Sequence, residues 1–319
     1  MPRKPPRAWV AIAAAALALG QQKTPEPGTV FHAPAHLVVC NATVVDRNGR
    51  PLTDLRQSAF TVYENDVAQT ISLFRHEDVP VSLGLVIDNS TSMRDKRVKV
   101  NTAAMDLIRA SNPEDEVFVV NFNEKAYLDL PNGKDFTNDP DEMEAALGLV
   151  EADGETALRD AIRVSIDHLQ KRAHHDKKVL VVLSDGEDNA STVSADELVR
   201  AAQQSGVLIY AVGLLDIVDP LTGAVSHSLP NARRARAAMQ GLSEATGGDN
   251  FFPDTMQDVD HIAWQVARVI RSQYTIGYTP SNPVMDSTYR AIRITVNAPG
   301  RPVVRTRSGY FATPDRYQD

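Results

Sequence analysis

One cysteine in 319 residues, Cys40 in "HLVVCNATVV", excludes an internal disulfide, so no disulfide framework holds this chain together. An excess of positive charge is also missing. Lys and Arg number 33 against 41 Asp and Glu, a formal net charge of −8. A nucleic-acid binder needs a basic face to displace counterions from phosphate, and that class is set aside. Long apolar runs are absent after the N-terminus, and the one present, "AWVAIAAAALALG", falls short of the roughly 20 residues that a membrane span needs. There is no G-x-S-x-G elbow, no phosphate-cradling glycine loop, and no His beside a plausible nucleophile. "TGGD" at 246–249 is too short to cradle a phosphate.

What is present begins with "MPRKPPR", three positive charges ahead of the apolar run, followed by the polar "QQKTPEPG". This is the order of a secretory signal. Ala18 and Gly20 suit the positions before a cleavage site, so residues 1–20 are expected to be a signal peptide and 21–35 a flexible linker. The expected location is outside the cytoplasm, periplasmic or extracellular, with no membrane span after signal removal. An uncleaved N-terminal anchor is the alternative.

From residue 36 the pattern is β. "HLVVCNATVVDRNGRPL" predicts a strand and a turn at Asn48-Gly49, and "AFTVYENDVAQTISLF" predicts two strands around Glu64-Asn65-Asp66. Cys40 is read as a strand residue rather than a lipidation site. The tail, "QYTIGYTP", "YRAIRITVNAPG" and "PVVRTRSGYF", alternates apolar and polar residues in the same way. Segments 36–79 and 273–319 are therefore expected to form one small β module around a central domain, 80–272.

The central domain alternates strand and helix. "VSLGLVID", "EVFVVNF", "KKVLVVLSD" and "GVLIYAVG" read as buried parallel strands. Between them lie helical faces: Val100, Ala104, Leu107 and Ile108, then Leu158, Ile162, Ile166 and Leu169, then Val259, Ile262, Ala263, Val266 and Ile270. Repeating βα units predict an α/β fold with a doubly wound, mostly parallel sheet, whose ligands bind at the carboxyl ends of the strands. Residues 214–231 read as a long surface loop.

Three segments converge on that edge: Asp88-Asn-Ser90-Thr-Ser92 after the first central strand, Gly154-Glu-Thr156 before a helix starting near Ala157, and Ser184-Asp185-Gly186 after "KVLVVL". Hydroxyls and carboxylates are hard oxygen donors that suit Mg²⁺, Mn²⁺ or Ca²⁺ rather than zinc. Two Asp side chains close together resist ionising, a conflict that a divalent cation removes.

"DNSTS", "GETAL" and "LSDGED" resemble the metal-ion-dependent adhesion site of von Willebrand factor A domains. The resemblance covers roughly 80–272. It implies Ser90, Ser92 and Thr156 as hydroxyl ligands, Asp88 and Asp185 as carboxylates that reach the metal through water, and a protein partner whose acidic side chain completes the ion, most often Mg²⁺. The flanks are similar to the ends of an exported bacterial von Willebrand factor A-related family common in Acidobacteria. One departure stands out: Glu155 occupies a position where many relatives carry a second Gly, and it adds negative charge beside the site.

Other residues read as structural. Glu187 and Asp188 form a solvated acidic loop, His174-His175 a solvated helix end, and Arg233, Arg234 and Arg236 a solvated helix face. His32 and His36 belong to the leader region, and Asp160 lies on the first turn of a helix, where it favours the dipole. The N-x-[ST] matches at Asn41, Asn89 and Asn189 are taken as chance. The expected function is cation-dependent protein binding, in adhesion or assembly, without catalysis. The alternatives are a structural protein whose metal only stabilises the fold, and a metal-dependent hydrolase with Glu155 or Glu187 as base.

Overall fold

The structure is a computed structural model that describes residues 36–314 apart from 77, 150 and 216–228. The expected signal peptide, the linker, most of the 214–231 loop and the last five residues lie outside the described residues. Of that loop, Leu214 and Leu215 are described and both are buried rather than at the surface, and residues 229–231 are described as the start of a helix rather than loop.

In chain order the strands and helices are β1 (Val38–Val45), β2 (Phe60–Glu64), β3 (Val67–Gln69), β4 (Ile71–Arg75), β5 (Val81–Asp88), α1 (Arg97–Arg109), β6 (Glu116–Phe122), β7 (Ala126–Leu128), α2 (Pro140–Gly148), α3 (Leu158–Arg172), β8 (Lys177–Ser184), α4 (Ala195–Ser205), β9 (Leu208–Gly213), α5 (Leu229–Thr246), β10 (Asn250–Phe251), α6 (Asp258–Arg271), β11 (Tyr274–Tyr278), β12 (Tyr289–Val296), β13 (Val303–Arg305) and β14 (Gly309–Phe311).

The central sheet has the order β10-β9-β8-β5-β6-β7. All its neighbouring pairs are parallel except β6 with β7. Every residue of β5 is buried, because the strand has neighbours on both edges and apolar layers on both faces. That is why its sequence runs apolar without alternating. The helical faces read from the sequence are the buried faces of α1, α3 and α6. α4 starts on a capping box, Ser194 with Glu197, and stops at Gly206 in the left-handed conformation.

The order of the central sheet reverses at β5. The first connection leads to β6 on one side, and the chain then crosses back to β8 on the other. The carboxyl ends of β5 and β8 therefore flank the switch point, where crossover loops diverge and leave a crevice. Asp88 ends β5, and Asp185 follows β8 directly.

The flanks build two four-stranded sheets, β13-β1-β11-β4 and β14-β12-β2-β3, around their own apolar cluster. β12 alternates exposed and buried residues along most of its length, as a half-buried strand should. The segment expected to hold two strands holds three. Asn65 and Asp66 turn with positive φ into β3, and the chain breaks at Thr70 into β4. β3 pairs with β2, whereas β4 pairs with β11 in the other sheet. "PVVRTRSGYF" divides likewise, β13 joining β1 and β14 joining β12. At the centre of this module Glu64 is buried and accepts hydrogen bonds from the Tyr278 hydroxyl (2.8 Å), the Tyr310 hydroxyl (2.9 Å) and the Arg290 guanidinium (3.2 Å). Arg290 also donates to the carbonyls of Asn282 and Val284, which fastens the loop before β12.

Candidate metal centre

Asp88 is fully buried where β5 meets the carboxyl edge. Its Oδ1 accepts the Ser90 amide at 2.8 Å, a turn that lets the chain leave the strand immediately. Its Oδ2 accepts the Ser184 hydroxyl of β8 at 2.6 Å. Both oxygens are thus oriented, one by its own loop and one by the neighbouring strand. Burial, together with the negative charge of Asp185, pushes the Asp88 carboxyl up to about 6.

Ser90 and Ser92 sit in the turn that follows, with their Oγ atoms 3.1 Å apart. Ser90 is buried and Ser92 exposed, so the hydroxyl pair runs from the interior to the surface. Met93, fully buried, anchors the end of this turn.

The Thr156 loop is laced to the first loop through backbone. Asp153 donates to the Asn89 carbonyl at 2.9 Å, and Thr91 donates to the Gly154 carbonyl through its amide (3.2 Å) and hydroxyl (3.1 Å). Gly154 has φ of +82°, and a Cβ there would lie 2.0 Å from Oε2 of Glu124, so only glycine fits without displacing that side chain. Thr156 is buried. Its amide donates to Asn189 Oδ1 at 2.9 Å, and its carbonyl accepts from the amides of Asn189 and Ala190 at 3.0 Å.

The third loop closes the arrangement. Gly186, with φ of +76°, turns the chain away directly after Asp185, where a Cβ would come within 2.6 Å of Ala235 Cβ. Asp188 and Ser191 then reach across to cap α3, accepting from the Arg159 amide at 3.0 Å each. Asp188 also pairs with Arg159 at 3.5 Å. The structure therefore corrects the reading of Asp188 as solvated: it is a helix cap that binds the third loop to the helix behind Thr156.

The five sequence-derived positions thus lie on three loops joined directly to one another at one sheet edge. Three contributors were missed. Ser184 orients Asp88, and its signal was its place immediately before Asp185. Asn189, which the sequence offers only as an N-x-S match, holds the Thr156 amide. Lys96 is the third: its ammonium lies 3.1 Å from Asp185 Oδ2, with side-chain exposures of 9% and 0%. Arg97 beside it donates to the Leu147 carbonyl at 2.9 Å.

Other candidates lie elsewhere. Glu155 is exposed, and its amide donates to Glu124 at 3.3 Å. α3 ends at Arg172, so His174 and His175 follow the helix rather than close it. His174 Nδ1 lies 2.6 Å from Glu116, and His175 Nε2 lies 3.1 Å from the Glu114 carbonyl, both near the amino-terminal end of β6. Asp160 is on the first turn of α3, where its carboxylate accepts the amides of Thr192 and Val193. Arg236 stacks 4.0 Å from the Phe252 ring centroid, whereas Arg233 and Arg234 are exposed. Asn89 is fully buried, its amide nitrogen bonded to Asn121, so it is no glycosylation acceptor in the folded chain.

Residues 83–187 match the family model of the von Willebrand factor type A domain. The matched segment runs from β5 to the loop after β8, and contains Asp88, Ser90, Ser92, Thr156 and Asp185. No curated protein matches the chain. Among solved structures, the chain is similar to a von Willebrand factor type A protein from Catenulispora acidiphila (13% identity, 89% of this chain and 76% of that one, TM-score 0.49). It is also similar to an aerotolerance-related membrane protein from Bacteroides fragilis (19% identity, 60% and 98%, TM-score 0.47). A third is proximal thread matrix protein 1 from the mussel byssus, with a zinc-occupied metal-ion-dependent adhesion site (15% identity, 65% and 49%, TM-score 0.48).

The donor set fits a hard cation. A fully buried carboxylate, Asp88, adjoins a pair of serine hydroxyls, and a second, Asp185, lies against a cationic group, Lys96. Among the described residues no cluster of three or more His, Cys, Asp or Glu is placed to hold a metal.

Proposed function

We propose that this chain is an exported, non-catalytic module that binds a protein partner through a divalent cation, Mg²⁺ before Mn²⁺ or Ca²⁺. In this reading Ser90, Ser92 and Thr156 hold the ion, and Asp88 and Asp185 orient its waters. A bound divalent cation supplies an electrophilic point that an Asp or Glu of the partner completes. The observation that carries the reading is the convergence of the three loops. Two hydroxyls 3.1 Å apart stand beside the fully buried Asp88, with the fully buried Asp185 following the neighbouring strand, in a segment that matches the von Willebrand factor type A model.

The chain's own residues do the preparatory work. Ser184 and the Ser90 amide aim Asp88, Asn189 fixes the backbone at Thr156, and Asp188 locks the third loop to α3. Such preorganisation lowers the cost of ordering the site when a ligand arrives. The reading includes the division into a central domain, 80–272, between flanks 36–79 and 273–319, and membership of the exported bacterial von Willebrand factor A-related family. Export is supported by the charged, apolar, polar order of residues 1–28. Among the described residues no helix is long and apolar enough to cross a membrane.

The test is calorimetric titration of Mg²⁺ into the purified protein, with Asp88→Ala and Ser90→Ala alongside. The reading expects saturable binding that both variants lose. Equal affinity in all three proteins overturns it. Affinity capture from the exported fraction with and without EDTA then asks whether partner binding follows the ion.

A further inference from the structure

Lys96 sits where the turn after Ser92 hands over to α1. Its amide donates to the Met93 carbonyl at 2.9 Å, and its carbonyl accepts the Val100 amide at 3.0 Å. With Met93 fully buried beneath it, this backbone is anchored at both ends. From that point the side chain crosses from the first loop to the third and ends 3.1 Å from Asp185 Oδ2. A buried ammonium is costly unless paired, and a buried carboxylate equally so. Here the two settle each other at the position where a cation is expected.

Asp185 does not stand alone. Its charge acts on Asp88, and Ser184, one residue before it, donates to Asp88. Without a positive group the edge would hold two buried like charges between β5 and β8. Lys96 supplies that positive charge from within the chain.

We propose that the Lys96 ammonium is a tethered counter-cation, which keeps the three-loop edge assembled without metal and which a divalent ion must displace from Asp185. The proposal rests on the cation-site reading above. It makes Lys96 a determinant of metal affinity that touches no ligand hydroxyl. Two consequences follow. The metal-free protein keeps its stability, because Lys96 already offsets one of the two buried carboxylates. Divalent ions bind more weakly than the donor set alone would allow, because each must first displace an ammonium held by its own chain.

The experiment compares wild type, Lys96→Met and Lys96→Arg by Mg²⁺ titration calorimetry and by thermal melting in EDTA and in Mg²⁺. Lys96→Met should bind Mg²⁺ about tenfold more tightly, the scale of outer-shell effects on metal sites. It should also melt lower than wild type in EDTA and gain more on adding Mg²⁺ than wild type and Lys96→Arg do, because tighter binding to the folded state stabilises it more. Wild-type affinity or weaker in Lys96→Met overturns the proposal, as does an unchanged melting temperature in EDTA. If neither protein binds Mg²⁺ while Lys96→Met still melts lower, the cation reading fails and the counter-ion role stands. Should Lys96→Met not fold, Lys96→Met with Asp185→Asn decides: recovery of folding supports the charge pairing, and no recovery overturns it.

Discussion

The Ser184 hydroxyl donates to Asp88 Oδ2 at 2.6 Å, joining the last residues of two neighbouring parallel strands. Neither group has access to solvent. Ser184→Ala leaves a buried carboxylate oxygen without this donor, an effect that costs about 1–3 kcal/mol. Urea unfolding of the variant near neutral pH should show a midpoint lowered accordingly, with an unchanged slope.

Asn189 offers a gentler way into the same site. Its side chain accepts the Thr156 amide at 2.9 Å. Asn189→Ala should weaken Mg²⁺ binding by about tenfold while the fold stays intact. Titration calorimetry with a circular dichroism control checks both halves. Unchanged affinity would mean that the Thr156 loop is held well enough by the first loop alone.

The buried group around Glu64 is a matter of stability rather than binding. Arg290→Met removes the charge partner of Glu64 and should cost about 3–5 kcal/mol, because an uncompensated carboxylate stays in the apolar core. Tyr278→Phe and Tyr310→Phe each remove one hydroxyl donor from Glu64 and should cost about 1–3 kcal/mol. Denaturant midpoints that rank Arg290→Met as the most damaging would agree.

Lys177 gives a pH dependence far from the site. It starts β8 and donates to the Ile270 carbonyl at 2.5 Å. Burial, with Arg271 nearby, brings its ammonium down to about 8 from 10.5. The folded chain therefore releases this proton before the unfolded chain does. Between about pH 8 and 10.5 the unfolded state binds more protons, so Lys177 makes stability rise with pH across that window. Below about pH 8 both states are protonated, and the desolvated charge costs a constant amount, on the order of 3 kcal/mol. Lys177→Met should remove the slope, read as the difference between wild-type and variant urea stabilities at pH 7 and pH 10.

Much of this was legible in the residues themselves. "VSLGLVID" reads as a buried parallel strand, because burial of both faces removes the polar alternation. "YRAIRITV" announced the opposite case, one face wet and one dry. The oxygen donors were readable because Asp88, Ser90 and Ser92 share one short turn, and because parallel strands carry their carboxyl ends to a common edge. The break at Thr70 was not readable: β3 and β4 continue one β pattern, and what separates them is their partners, β2 and β11, which lie elsewhere in the chain. Asp185 and Asp188 illustrate the same limit. They stand three residues apart in one acidic run, yet one faces the site and the other caps α3.

The sequence by itself determined the layers of this protein and the chemistry available at its sheet edge, because hydrophobic period and donor type are local properties of the chain. Only the tertiary structure decided which charges meet there. Lys96 lies 89 residues from Asp185, and no pattern of spacing couples them. What couples them is the parallel pairing of β5 with β8, which brings two loops within one lysine's reach, and the exclusion of water, which makes the ammonium and the carboxylate each other's necessary partner.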